Sequence, residues 1–300
     1  MPPVERPAID LTGRRADDEL ATELAGLDAL ELAEAARAGR LARLWSAAWP
    51  KLAALALVLL AWQALVWLEW RPRYSLRPPA DVWDALVAGF GDGTFPRAIA
   101  TTLRRAAAGF GLALLVGVLV GALTSRVAVV RSAVGSLVTG LQTMPSIAWF
   151  PLAILLFGTS EQAIASVVVL GAAPSIANGL IAGSDHIPPL LLRAGRVLGA
   201  RRLSLYRHVV LPASLPSFVG GLKQGWAFAW RSLMAGELLV IVANRPSIGQ
   251  QLQFSRDLND GAGLLATMVV ILALGIVVDS LVFGTAERAI RRRWGLVEGA

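Results

Sequence analysis

The chain has no cysteine, two histidines and only two lysines in 300 residues. Without thiols there is no disulfide framework, no thiolate metal site and no cysteine nucleophile, and two histidines would leave a zinc centre mostly to carboxylates. The lysines, Lys51 and Lys223, stand outside any G-x-x-x-x-G-K-[ST] loop, so the chain carries no Walker-type phosphate cradle. If ATP drives this protein, another polypeptide hydrolyses it. Charge is scarce too, at 16% of residues, against roughly 25% in an ordinary soluble domain. Apolar residues are abundant, at 55% with a mean hydropathy of +0.60. That composition excludes a disordered chain and strains a soluble one.

The net charge of +7 is unevenly spread. Residues 1–40 hold nine acids and five arginines, whereas the basic excess of residues 41–300 collects at the ends of apolar runs. This is the pattern of membrane orientation, not of a nucleic-acid-binding face, and no nucleic-acid partner is expected.

A helix needs about 20 mostly apolar residues to cross a bilayer. Six stretches meet or approach that, at 47–68, 103–123, 133–157, 163–183, 215–243 and 262–284. Trp45, Trp49, Trp67 and Trp70 flank the first as interfacial anchors, and the polar, acidic residues before it argue against a cleaved signal peptide. With the N-terminus inside, fifteen basic residues fall on the inner flanks and eight on the outer, which predicts both termini inside. Pro79 to Gly91 spaces Val82, Trp83, Leu86, Val87 and Phe90 as an amphipathic helix on the outer surface. Residues 17–36 form a second helical pattern, read either as a solvated acidic arm or as a docking segment for a cytosolic partner. Ala113, Gly117 and Gly121 recur every four residues, as do Ser132, Ser136 and Gly140; such rows let helices approach closely, within the chain or against a second copy.

The longest polar stretch between apolar runs is 184–216. It reads as two short amphipathic helices broken at Gly199, where glycine adopts a left-handed conformation cheaply, with Leu203 and Tyr206 on the second piece and Leu211-Pro212 and Pro216 halting it. Arg193-Ala194-Gly195, Gly199, Val209 and Leu211-Pro212 match the frame E-A-A-x3-G-x9-I-x-L-P, with Arg193, Gly195 and Val209 replacing Glu, Ala and Ile. In this the chain resembles the inner-membrane permeases of bacterial binding-protein-dependent ABC importers. Leu141-Gln142-Thr143-Met144-Pro145, Ala148 to Leu152, Leu156-Phe157-Gly158, and Trp230-Arg231 with Ala235 and Glu237 are similar to the nitrate, sulfonate and taurine subfamily.

The resemblance implies an all-α membrane protein of six transmembrane helices with the type I ABC importer permease fold. It also implies a coupling loop that meets an ATPase subunit through Arg193, Ala194, Gly195, Gly199, Ala200, Leu203, Tyr206, Val209, Leu211 and Pro212. The expected partners are ABC ATPase subunits carrying the ATP and magnesium, an extracytoplasmic solute-binding protein, a second permease copy and the lipid bilayer; the chain itself needs no cofactor and no metal. The expected division is an acidic arm at 1–44, a permease domain at 45–295 with the loop 184–216, and a tail at 296–300.

Polar groups within apolar stretches are expensive unless they face protein or water. The candidate path residues are Gln142, Thr143, Met144, Ser146, Ser175, Asn178, Trp230, Arg231 and Glu237. The hydroxyls and amides serve either helix packing or solute contact. Arg231 suits an oxyanion by its fork geometry, or else half of an ion pair with another helix or subunit, an easy i,i+4 pair with Glu237 being excluded by its six-residue separation. Glu237 and Asp279 lie near stretch ends, where solvation is cheap. A secondary transporter driven by an ion gradient is the alternative reading, disfavoured because no acid accompanies Arg231 at midspan. An intramembrane enzyme lacks a nucleophile and base, since His186 and His208 both fall in the polar loop.

Overall fold

The structure is a computed structural model that describes residues 40–72, 76–126, 135, 140–201 and 203–293. The helical pattern at 17–36, Ser132 and Ser136, the side chain of Leu203 and the tail at 296–300 lie outside the described residues. Every element among the described residues is helical. Two compact units meet in sequence at Leu68 and Glu69. The first contributes α1, Arg40–Trp67, with exposed Trp45, Trp49 and Trp67 near its ends.

The second unit opens with α2, Pro79–Gly91, over the segment that the spacing marks as amphipathic. Pro79 supplies a preset φ at the first helical position, Asp81 lies in the first turn, and Val82 is buried while Trp83, Val87 and Phe90 stay exposed. α3, Thr94–Arg126, starts well before the expected position 103. The Thr94 backbone N–H donates to Asp92 Oδ1 at 2.8 Å, which fixes the helix start and holds the Asp92 carboxyl below its ordinary range. Arg97, Arg104 and Arg105, expected on a flank, therefore belong to the helix itself.

Beyond residue 140 the helix breaks at Met144-Pro145, resumes as a 3-10 turn at Ser146–Trp149 and continues as α4, Phe150–Phe157, which stops at Gly158 with φ +66°. α5, Glu161–Asp185, is capped by Ser160, whose hydroxyl accepts from the Ala163 N–H. α6, Pro189–Val197, lies in the polar loop. A helical turn at Leu203–Leu205 and a π-turn at Tyr206–Val210 lead into α7, Leu211–Leu239. α8, Ile248–Asp257, and α9, Gly261–Val278, follow, and a second π-turn at Asp279–Phe283 joins α9 to α10, Gly284–Arg293.

Six spans are expected from hydropathy and resemblance, but four helices among the described residues are long and apolar enough to cross a membrane: Ala48–Trp67, Thr94–Ser125, Glu161–Asp185 and Gly261–Ile290. The six-helix expectation is corrected to four candidates. Among the described residues of the third stretch the helix breaks at Pro145, which has no N–H to continue it, and the apolar helical piece that follows runs from Ser146 to Phe157. The fifth is left out of that count by its polarity and not by its length, since α7 has 29 residues but includes Lys223, Gln224, Arg231 and Glu237, and such a helix can cross only where its polar face meets protein or a water-filled path. The loop also differs from expectation at its end, because Pro212 and Pro216 are accommodated within α7 instead of halting it. The preceding π-turn lets the Leu211 N–H reach the Tyr206 carbonyl, so the chain enters Pro212 without a break.

α5 is the centre of the second unit. Half of its apolar window is buried, against 28% for α3 and 22% for the last candidate span. It packs against α3 on one side and α7 on the other. Small residues set both spacings: a Cβ on Gly117 of α3 would fall 2.8 Å from the Ala173 carbonyl, and one on Gly179 of α5 would fall 2.6 Å from the Gly221 Cα of α7. The predicted row Ala113, Gly117 and Gly121 therefore packs within the chain. Around these contacts Ile164, Val167, Val168, Ile176 and Leu233 form the core, joined by Phe110, Trp226 and Phe283 with ring centroids 5.4 to 6.1 Å apart.

Gly179→Ala forces backbone apart where no flexible side chain can yield. We expect a loss of about 1–3 kcal/mol, the usual range for overpacking, read as earlier thermal unfolding in detergent. Gly220→Ala, with nothing within 4 Å of the added carbon, is the control and should unfold no earlier than the parent chain.

Candidate functional site

Three polar assemblies stand out in this apolar molecule. The first lies where α3, α5, α7 and α8 meet. Thr102 and Arg105, three residues apart, lie on one face of α3 and both reach Glu237 near the end of α7. Arg105 Nη1 donates to Glu237 Oε1 at 3.0 Å, and its Nε and Nη2 form a two-pronged contact with Glu161 at 2.8 Å each. The Thr102 hydroxyl donates to Glu237 Oε2 at 2.8 Å and accepts from the Ile248 N–H at 3.1 Å. The Gly249 N–H, in the first turn of α8, adds a bond to Glu237 Oε2 at 3.1 Å. Gly249 packs against Glu237 so closely that any larger residue there would overlap it. At the rim Arg245 Nη1 approaches Glu161 Oε1 to 3.7 Å.

Glu237 is fully buried, so the expectation that it is solvated near a stretch end is corrected. A buried carboxylate is tolerable only when charge and hydrogen bonds replace lost water, and a guanidinium, a hydroxyl and a helix N-terminus together do so. Arg105 and Glu161 were not candidates from the sequence. The visible signal was the Thr102-x-x-Arg105 spacing on the same side of α3 as Ala113 and Gly117.

The second assembly joins three predicted path residues. Asn178 Nδ2 donates to Gln142 Oε1 at 3.2 Å, and Gln142 Nε2 donates to Ser175 Oγ at 3.1 Å. Pro174 precedes Ser175 and lacks the N–H that would bind the Leu170 carbonyl. Thr143 donates to the Gly140 carbonyl at 2.8 Å, while Met144 is exposed and Ser146 opens the 3-10 turn. The polar relay thus lies against the broken helix.

Other path candidates are placed apart from these. Trp230 stacks on Trp226 with centroids 6.0 Å apart and borders a groove of about 640 Å3 with Met234, Met268 and Gly275. Arg231 is exposed; its Nε donates to the Ala227 carbonyl at 3.2 Å, and its guanidinium lies over the Phe228 ring at 5.2 Å. It makes no ion pair among the described residues. Asp279 is half-exposed and lies 3.8 Å from Lys223, which also approaches Glu287 at 3.7 Å.

The third assembly is the loop. α6 ends in a Schellman motif: the Ala200 N–H donates to the Gly195 carbonyl at 2.9 Å and the Gly199 N–H to the Arg196 carbonyl at 3.0 Å. Gly199 has φ +86°, the left-handed conformation that this motif requires. Gly195 is buried, and a Cβ there would fall 2.9 Å from both Leu205 and Val209. The replacement of Ala by Gly at 195 therefore draws α6 closer to the returning π-turn. Arg193 and Ala194 are exposed beside it, Tyr206 and Val209 lie in the π-turn, and Leu211-Pro212 open α7.

Arg105→Ala or Glu237→Ala orphans a buried charge and should cost about 3–5 kcal/mol. The double variant should cost less than the two singles combined, because it removes both charges together. Thermal unfolding of the four proteins in detergent measures the coupling.

Residues 113–292, more than half of the chain, match the family model described as "Binding-protein-dependent transport system inner membrane component". A putative ABC transporter permease of Methanocaldococcus jannaschii is 30% identical over 178 residues, covering 59% of this chain and 66% of its own length. The taurine transport system permease of Escherichia coli is 28% identical over 245 residues, covering 80% and 86%. The riboflavin transport system permease of Chloroflexus aurantiacus is 30% identical over 254 residues, covering 81% and 91%. Among solved structures, a chain of the MetNI methionine ABC transporter, described in inward-facing conformations, aligns at a TM-score of 0.55 with 22% identity, covering 66% of this chain and 96% of that one. It shares the fold. Among the described residues no group of three or more His, Asp or Glu could hold a metal. The chain belongs to the family of binding-protein-dependent transport system inner membrane components, as a multi-pass membrane transport subunit.

Proposed function

We propose that this chain is the solute path of an ATP-driven importer, working as a pair of copies with two ATPase subunits inside and a solute-binding protein outside. The observation that carries the ATPase contact is the tip of the 184–216 loop. Val197 and Leu198 are each 87% exposed there, next to exposed Arg193, Arg196 and Arg201. Apolar side chains held out on a Schellman turn lose little conformational freedom on docking, and the flanking arginines steer an acidic groove toward them. The loop acts as a lever: Gly195 clamps α6 to the π-turn, so a push on the tip reaches α7 through Tyr206 and Val209.

The path is assigned to the broken helix and its relay, Gln142, Thr143, Met144, Ser146, Ser175 and Asn178, with Trp230 and Arg231 on α7. Glu237 is assigned to architecture, since Arg105, Thr102 and Gly249 already occupy it. For the solute we favour a small oxyanion of the taurine, sulfonate or nitrate class, supported by the exposed guanidinium of Arg231, which has no ion-pair partner among the described residues, and by the taurine-system relative. A flat aromatic solute is the second reading, favoured by the riboflavin-system relative. Both termini are assigned to the cytoplasm, from the basic count.

Gly199→Val strains the turn by about 1–3 kcal/mol and should abolish uptake while leaving assembly in the membrane. Normal uptake and normal stimulated ATPase in a well-expressed variant would oppose the coupling role. Arg231→Ala should lower oxyanion uptake by about 10-fold, equivalent to ~1.4 kcal/mol in the barrier, without changing the affinity of the binding protein. Arg231→Lys should restore part of the rate, as charge returns without the fork. Full uptake by stable Arg231→Ala would remove the arginine from the path.

A further inference from the structure

We infer that Arg245 is a docking point for an acidic side chain of the solute-binding protein, held in readiness by Glu161 and released from it on docking. The inference rests on the proposed orientation, which puts the α7–α8 connection outside.

The charge network is asymmetric. Arg105 takes both oxygens of Glu161 at 2.8 Å, whereas Arg245 approaches only one, at 3.7 Å, beyond hydrogen-bond reach. The Arg105 side chain is 6% exposed, but those of Arg245 and Glu161 are 49% and 32% exposed. A half-solvated contact at that distance is weak and open to exchange. The balance of charge points the same way. Arg104, exposed on α3, also lies within electrostatic range of Glu161, so three arginines act on Glu161 while only Arg105 also bonds Glu237 among the described residues. Arg105 satisfies both acids. Arg104 and Arg245 are left with no carboxylate of their own among the described residues.

The geometry presents Arg245 from a fixed base. Asn244, with φ +58°, turns the chain just before it, and the Ile248 and Gly249 N–H groups pin the chain just after it to Thr102 and Glu237. Arg245 borders a cleft of about 180 Å3 with Asn244, Gln250, Gln251 and Phe254. A guanidinium on a pinned loop, flanked by amides, is matched by a carboxylate, which it can hold through two parallel bonds. Binding there would cost little ordering of the loop. A basic partner would meet a local positive excess and be repelled.

The test uses the importer reconstituted in proteoliposomes with its ATPase subunits and solute-binding protein, and reads stimulated ATPase against binding-protein concentration. Arg245→Gln should raise the half-saturating concentration about 10-fold, the scale of a lost interfacial charge contact, with basal ATPase unchanged; Arg245→Lys should recover part of it. Glu161→Gln, by removing the internal competitor, should lower the half-saturating concentration. Opposite signs separate docking from a structural role, in which both substitutions would weaken stimulation. An unchanged half-saturation in Arg245→Gln overturns the inference, as does a dependence on anionic lipid content alone, which would assign Arg245 to headgroups. A single cysteine at position 245 in this cysteine-free chain tests the underlying reading separately. Failure to react with an impermeant thiol reagent added outside would overturn the orientation, whereas labelling with unchanged half-saturation would overturn the docking inference alone.

Discussion

The near-contact of backbone with backbone along α5 is the constraint on which the rest of the second unit depends. Helices in lipid gain little from hiding apolar side chains, because the acyl chains outside are as apolar as the core, so association relies on close packing and polar contacts. Gly117 against Ala173, and Gly179 against Gly221, bring α3 and α7 near enough to α5 for dispersion to act along the helices. Ile164, Val167, Val168, Ile176 and Leu233 then fill the space on either side. Bulkier residues in those rows would push α3 and α7 outward, and the polar groups they carry would no longer meet.

The charge network follows from that spacing. Arg105 bridges α5 and α7 because its stem starts on the face of α3 that already touches α5. The guanidinium contributes three nitrogens to two carboxylates, while Thr102 and the first turn of α8 complete Glu237. Such a cluster is a hazard if one member is missing and a specific fastener when all are present. It fixes α8, too short to span a membrane, against α7 and leaves the Arg245 and Glu161 side chains partly exposed at its rim.

At the other end of α7 the polar loop is packed closely onto the helical turn that leads into it. The Schellman turn at Gly199 holds an exposed apolar tip, Gly195 locks α6 to the π-turn, and that π-turn carries the backbone into Pro212 without a break. The broken helix at Met144-Pro145 is the complementary feature, because its freed backbone and the Gln142–Ser175–Asn178 relay supply polar groups in an otherwise apolar interior.

The sequence by itself determined the class of molecule, the amphipathic α2, the left-handed turn at Gly199 and the family frame of the loop. Each depends on local composition or on residues a few positions apart. It also marked Gln142, Ser175 and Asn178 as costly groups in need of partners, without saying that they would satisfy one another. Hydropathy overcounted the spans because it scores apolar content and not helix continuity, which Pro145 interrupts, and because α7 is too polar for its length. The burial of Glu237, its pairing with Arg105 and not with Arg231, and the exposure of Arg231 were decided only by the tertiary structure. The bonds of Glu237 to Thr102 and Arg105 join residues more than 100 positions apart, and the helix spacing that creates them is set by glycine rows whose partner rows no single stretch of sequence can name.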